Sequence, residues 1–290
     1  MSNVKNGSGE TTKIVFEKHV VAFIDILGFK NFIKEEEKFR TEKFDDLLKE
    51  ISENPIFKDE LEHNISLPEE MGLVCRHISD SFIITAPCLD NQKIPALYAV
   101  SIKAIQIFQV LLSIGLSSRG GIAVGKLYIK DNNLFGSAFI DAYETEQKAI
   151  YPRILLNEAA EKELGDVSKK YPRYSFFASM EGKVFLDTFF DLSNVTSDNL
   201  DIKTKLNKFK KCIEENLEKF FEPDIRKKWV WIALHFNAVL DYYKVGIDKI
   251  SIEQNFPIQL NSLNLTDPNW MAKFIVKGHK VSDIRTKQDK

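Results

Sequence analysis

The chain has only three cysteines, Cys75, Cys88 and Cys212, an odd number and widely spaced. No CxxC pair occurs, so neither a disulfide framework nor a cysteine zinc site is expected, and reduced thiols in a cytoplasmic protein are the natural reading. The five histidines are scattered, with no HExxH pair, which leaves little room for zinc hydrolase chemistry. Neither sign of charge dominates. The formal net charge is −2, so no global field draws the molecule to nucleic acid or to an anionic membrane, and neither is expected as a partner. No uninterrupted apolar run approaches the ~18–20 residues of a membrane span. The opening "MSNVKNGSGETTK" lacks an apolar h-region, so it is not a secretory signal, and residues 1–12 read as a disordered lead-in. Arginine is scarce as well. Only seven occur, so most cations are lysines.

What remains is an ordinary globular composition, 44% hydrophobic and 28% charged over 290 residues, enough for a large core. "KIVFEKHVVAFI", 13–24, ends in a solid apolar run and reads as a central strand covered on both sides. Gly28 breaks it, and helical spacing follows (Phe29, Phe32, Ile33, then Phe44, Leu47, Leu48, Ile51). "GLVCRHISDSFIITAP", 72–87, is two short apolar runs around turn residues, a hairpin signature. Leu97, Val100, Ala104, Ile107, Phe108 and Leu111 recur at helical spacing, and Gly115 ends that helix. "SSRGGIAVGKLYI" is the next strand and "KDNN" a loop. "GSAFIDAYETEQKAI" is a helix with a small-residue stripe, Ala138, Ala142 and Ala149. "PRILL" is a short strand, and "YSFFAS" and "KVFLDTFF" a further pair. Two helices then follow, one through Leu206, Phe209, Ile213 and Leu217, the other through Trp229, Ile232, Phe236, Val239 and Tyr243. Residues 277–290 are polar and expected to fray.

The order β-α-β-β-α-β is the split βαβ plan. It predicts an α+β fold with a ferredoxin-like sheet and its helices on one face. On this plan Asp25 lies at the exit of the first strand and Asp80 in the turn before the third. These strands are central neighbours, so two acids far apart in sequence meet at one edge of the sheet. Taken singly, Asp25 reads as a helix cap and Asp80 as a turn residue. Taken together they read as a site for hard divalent cations, Mg²⁺ or Mn²⁺, with the Ile26 carbonyl as an extra ligand. Two ions ~3.5–4 Å apart would clamp a triphosphate.

Four stretches carry a resemblance. "VVAFIDILGFKNFI" resembles the strand–turn–helix of class III nucleotide cyclases, F-x-D-I-x-G-F. "RHISDSFIIT" resembles their second metal motif, with Ser79 where a glycine is usual. "SRGGIAVGKLY" resembles the R-x-G-I-x-x-G strand, and "NLFGSAFIDAYETEQKA" the helix after it. Order and spacing agree across residues 13–157. Within that class the wording is most similar to the bacterial pyrimidine cyclases of Pycsar antiphage systems. That resemblance implies conversion of UTP or CTP, with UTP favoured, to the 3′,5′-cyclic nucleotide and pyrophosphate. It also implies two metal ions, a homodimer with sites at the subunit interface, and an effector protein activated by the product.

Carried over by position, the resemblance assigns Asp25 and Asp80 as metal acids and Ile26 as the carbonyl ligand. Arg76 stands where adenylate cyclases have a base-selecting lysine, and Asn133 where they have an adenine-reading aspartate. Both changes favour a base other than adenine, and a donor-only Arg with a bifunctional Asn suits uracil. Phe16 falls near the expected base-contacting aromatic. The helix positions that hold an Asn and a transition-state Arg in class III cyclases are Ile140 and Glu144 here. Arg119, Arg153 and Arg76, and more weakly Lys126 and Lys183, are the candidates for the missing phosphate-binding charge. Two other readings stay open: a purine nucleotide cyclase, and a catalytically silent cyclase fold that binds nucleotide and signals through its C-terminal helices. A third reading, a polymerase-like palm on the same sheet topology, is the least favoured, because the chain lacks a basic surface and a GGDEF-type turn. The expected layout is the lead-in, a cyclase domain at 13–195, a helical extension at 196–250 and a partly disordered segment at 251–290.

Overall fold

The computed structural model describes residues 3–5, 11–39, 42–53, 72–90, 92, 94–130, 133–170, 176–180, 182–189, 202–243 and 246–252. The segment 277–290 expected to fray lies outside them, as does most of 251–290.

The central strand β3 (Glu17–Ile26) pairs on one side with β5 (Ser81–Pro87) and on the other with β6 (Ser118–Lys130), both antiparallel. β4 (Val74–Ile78) forms the expected hairpin with β5. Helices α1 (Phe29–Phe39) and α2 (Glu42–Glu53) join β3 to β4, and α3 (Ala96–Ser113) joins β5 to β6. This is the βαββαβ arrangement that the sequence predicts. Past β6 the chain adds β7 (Asn133–Phe135), α4 (Ser137–Gln147), β8 (Ile154–Leu156), α5 (Glu158–Lys170), β9 (Phe177–Met180) and β10 (Lys183–Leu186). The sheet runs β4-β5-β3-β6-β8-β10-β9, with β7 folded back on β6. Among the described residues only β6 and β8 are parallel neighbours. At the N-terminus, β1 (Asn3–Lys5) pairs with β2 (Thr11–Lys13), although a disordered lead-in is predicted there.

The helices of the βαββαβ unit share one face, as the sequence predicts: Phe29 and Phe32 of α1, Leu47 of α2 and α3 belong to one core, and α4, which follows the unit, covers the other face. Val20, Ala22, Ile24 and Ile26 of β3 belong to the large core with α3, whereas Val21 and Phe23 pack against Ala138, Ala142 and Phe139 of α4 on the opposite face. The alternation of a strand buried on both sides requires two covers, and the small-residue stripe makes α4 the second. A side chain at Gly121 would run into the Ala142 carbonyl, the Glu146 amide nitrogen at 2.5 Å and Thr145 at 2.7 Å. Glycine there lets the helix lie directly on the strand.

α3 is long and apolar enough to meet the length and composition of a membrane span, but most of it is buried in the core. Gly115, at φ +79°, ends it. The Leu116 amide donates to Leu111 O at 2.9 Å and that of Gly115 to Leu112 O at 3.0 Å, a Schellman closure. α5 is not foreseen in the sequence reading. Asn157 caps it, its side-chain oxygen accepting from the Ala160 amide at 2.8 Å, and Ala160, Leu164 and Val167 face the core.

The two C-terminal helices, α6 (Ile202–Lys219) and α7 (Pro223–Tyr243), share the core with the sheet. Trp231 of α7 stacks on Tyr151 with centroids 5.9 Å apart and meets Phe185 of β10 edge-on at 6.0 Å. Pro223 opens α7 where its missing N–H costs nothing. Arg226 folds back to donate to the Leu217 and Phe220 carbonyls at the end of α6, which fixes the joint between the helices.

Replacing Gly121 with Val should force α4 off the sheet. The expected loss is about 3 kcal/mol, a fall of roughly 10 °C in the thermal unfolding midpoint. Val at Gly165, where an added Cβ meets nothing within 4 Å, should cost far less in the same measurement.

Candidate active site

The register of the sheet builds one row of side chains across four strands. Ile78 of β4 is opposite Ser81 of β5, Ser81 opposite Asp25 of β3, and Asp25 opposite Arg119 of β6. The next row on the same face is Arg76, Ile83, Phe23 and Gly121. Phe23 packs edge-on against Phe139 and Tyr143 of α4, so the face that carries Asp25 is the α4 face.

Asp80 occupies the two-residue turn between β4 and β5. Its backbone carbonyl accepts from the Ile26 amide at 2.9 Å, which pins the acid-bearing turn to the exit of β3. Ser79, before it, has φ +58°, a left-handed conformation that costs an L-residue about 1–2 kcal/mol and that glycine adopts freely. The two acids foreseen in the sequence are therefore side by side. Asp25 does not cap α1: among the described residues its one hydrogen bond is from the Ser81 hydroxyl at 3.5 Å, and no acidic side chain occupies the first turn of that helix. The Ile26 side chain is buried on the α3 side, which leaves only its backbone to serve the site.

Two further groups complete this end of the sheet. Glu146, on the last turn of α4, is fully buried and paired with Arg119. Arg119 also donates to the Ala149 carbonyl at 3.4 Å. Glu146 was not singled out from sequence, although it lies four residues beyond Ala142 on the stripe that faces the sheet. A carboxylate there requires a cation across from it, and Arg119 stands two residues before Gly121 on the same strand face.

The charge balance here is acidic. Loss of solvation, then the charges of Asp80 and Glu146, push the Asp25 carboxyl from 3.8 up to about 6, with Arg119 and Ser81 pulling the other way. Burial also raises Glu146, with Arg119 opposing. Among the described residues no three His, Cys, Asp or Glu side chains converge as a metal cage. The oxygen donors that do converge are two carboxylates beside a strand-end backbone. That set fits a hard cation of the Mg²⁺ type, which takes one or two carboxylates and completes its shell with water and phosphate. The poor hydrogen bonding of Asp25 and its repulsion by Asp80 are the features such a cation would relieve.

The other candidates are dispersed. Arg76 is half-buried, on the Asp25 face but two strands away. Phe16 and Asn133 are exposed at the opposite end of the sheet, roughly 30 Å from Asp25 at 3.3 Å per residue. Phe16 lies 6.0 Å from the ring of Tyr128 there. Ile140 and Glu144 are exposed on the outer side of α4. Arg153 is only 2% exposed, its guanidinium over the rings of Tyr151 and Phe185 in the core. Lys126 and Lys183 are exposed strand residues away from the acids.

No family model matches the chain, and no curated protein does. Several solved structures resemble it. One is the catalytic core of a rhodopsin–guanylyl cyclase with converted specificity in complex with ATPαS, at 13% identity and a TM-score of 0.40, over 59% of this chain and 96% of that one. A second is an adenylate/guanylate cyclase/hydrolase from Silicibacter pomeroyi, at 14% identity and TM-score 0.38, over 59% and 95%. A third is the guanylyl cyclase Cya2, at 13% identity and TM-score 0.36, over 60% and 93%.

Asp25 binds its proton more tightly in the folded chain than in the unfolded one. The folded state therefore holds more protons between pH 3.8 and about 6, and stability falls as pH rises through that window. In metal-free buffer at pH 8, Asp25→Asn should raise the thermal midpoint by roughly 2–4 °C, a value discounted for the partial exposure of the group. The gain should shrink to nothing below about pH 4 in the same scans.

Proposed function

We propose that this protein is a nucleotidyl cyclase that acts on a pyrimidine nucleoside triphosphate, UTP in preference to CTP. The observation that carries the reading is the meeting of Asp25 and Asp80. Two segments that match the metal motifs of class III cyclases in sequence are held together by the Ile26–Asp80 hydrogen bond, and their acids have little else to satisfy them. The reaction is attack of the ribose 3′-oxygen on the α-phosphorus. The new O–P bond forms as the bond to the bridging oxygen breaks, pyrophosphate departs, and the hydroxyl proton passes to water.

Asp25, Asp80 and the Ile26 carbonyl would hold two divalent cations, Mn²⁺ or Mg²⁺, which supply Lewis acidity at the hydroxyl and the phosphates. The chain itself positions the reactants and sets the local charge. Arg76 donates to the carbonyl oxygens of the base on this reading, and Asn133 and Phe16 read its edge and face. Phe16 and Asn133 are too far from the acids of their own chain to serve the same site, so the reading requires a homodimer in which one copy's far end meets the other's acids. Ile78 and Ile140, 59% and 55% exposed, are apolar surface that such a partner would cover. A cyclic nucleotide product implies a separate effector that binds it, in keeping with a second messenger of antiphage defence in the cytoplasm. Residues 13–195 would form the cyclase domain and 196–250 its helical extension.

A purine cyclase and a silent nucleotide-binding fold are the competing readings, and one experiment separates all three. The protein is incubated with each of the four nucleoside triphosphates and Mn²⁺ or Mg²⁺, and products are identified by mass spectrometry. Cyclic UMP, with less cyclic CMP, is expected, and Asp25→Ala should lower turnover at least about a thousandfold. Mn²⁺ should also raise the thermal midpoint of the wild type and leave that of Asp25→Asn unchanged. A cyclic purine product, or no product from a folded dimer, would reject the pyrimidine assignment. Full turnover by Asp25→Ala would reject the metal site.

A further inference from the structure

At the turn that follows Asp25 lies a cavity of about 720 Å³. Leu27 and Gly28, just past Asp25, form one wall, and Ser117, just before β6, another. The joint between α6 and α7 closes it. Three lysines line it, Lys34 from α1, Lys219 from α6 and Lys228 from α7, against two acids, Glu35 and Glu222. The volume is in the range of small-ligand sites, and the lining has a net positive charge.

Lys228 is the unusual group. It is half-buried and makes no hydrogen bond or ion pair among the described residues. Burial lowers its pKa, and the positive charge of Arg119 lowers it further. Lys227 adds to this, while Asp224 and Glu222 oppose it. Lys228 thus lies within electrostatic reach of Arg119, the strand neighbour of Asp25. The other cations nearby are committed: Arg119 to Glu146, and Arg153 to the core. A half-buried ammonium with no ion pair among the described residues, in an open cavity at the turn that follows Asp25, suits a polyanion that approaches with metal ions.

We propose that Lys228, with Lys219 and Lys34, makes this cavity the seat of the substrate's polyphosphate, so that the C-terminal helices supply the phosphate-binding charge. This rests on the cyclase reading, but the anion site can be measured without catalysis. Three proteins are compared, wild type, Lys228→Met and Lys228→Arg, with thermal midpoints expected within about 2 °C of one another. Binding of inorganic tripolyphosphate in the presence of Mg²⁺ is followed by calorimetry, UTP is tested as a competitor, and KM and kcat for UTP are measured separately.

The wild type should bind tripolyphosphate, and UTP should displace it. Lys228→Met should weaken that binding at least about tenfold and raise KM for UTP by a similar factor, with Lys228→Arg recovering most of both. Equal affinity in Lys228→Met, no binding by the wild type, or failure of UTP to compete would each overturn the proposal. So would a Lys228→Met enzyme with unchanged KM, which would leave the cyclase reading standing. Tripolyphosphate binding that depends on Lys228, and yields to UTP, in a protein that cyclises no nucleotide would do the reverse: the anion site would stand and the cyclase reading would fall.

Discussion

Gly121 has no side chain, and α4 occupies the space. That close approach organises the acidic end of the sheet. It brings Glu146 down onto the strand face, where a fully buried carboxylate can persist only against a cation, and Arg119 is the cation available. Once Arg119 is committed, Asp25 and Asp80 have no strong partner of their own among the described residues. The raised proton affinity of Asp25 follows first from its burial and then from this allocation of charge. A looser helix would leave Arg119 free to neutralise Asp25, and the acid pair would lose its appetite for a cation.

The second organising feature is β3, which is buried on both faces. Its even-numbered residues from Val20 to Ile26 enter the α3 core, and Val21, Phe23 and Asp25 face α4. A slip of one residue would drive Asp25 into the apolar core and Ile24 or Ile26 toward the acids, so the register is held from both sides. The same strand ends in the Leu27–Gly28 turn, where the Leu27 amide donates to Ser117 O at 2.9 Å. The position of the acid is set by core packing, and the cavity wall next to it by a backbone bond.

The order of the four strands of the βαββαβ unit and the meeting of the two acids were legible because both depend on local signals. Two-sided burial marks a strand as central, turn residues mark a hairpin, and the split βαβ plan leaves few ways to join them. The placement of α4 was partly legible: its small residues announced close packing, but periodicity alone does not say on which face. Glu146 and Lys228 were illegible as site residues for a different reason. Each is an ordinary charged residue on an amphipathic helix, and only the tertiary neighbours Arg119 and the cavity wall single it out. α5 was missed despite its Asn157 cap, because "NEAAEKELGDVSKK" is polar enough to pass for a loop. The remote position of Phe16 and Asn133 could not be read from motif order, which carries no distances.

Residues 25, 80, 119, 146 and 228 come together only through pairings between segments far apart in the chain. Such contacts carry a large loop-closure cost, so the ensemble that precedes folding holds almost none of them, and topologies of this kind fold slowly. The hairpin that bears Asp80 can form early, since its strands adjoin. The β3–β6 ladder must wait for α3 to be laid down, and α7 has to dock on a core that already exists. The charge arrangement around Asp25 is thus an all-or-none property: in any partly folded chain Asp25 stays apart from the other acids, in water, and titrates as an ordinary carboxylate.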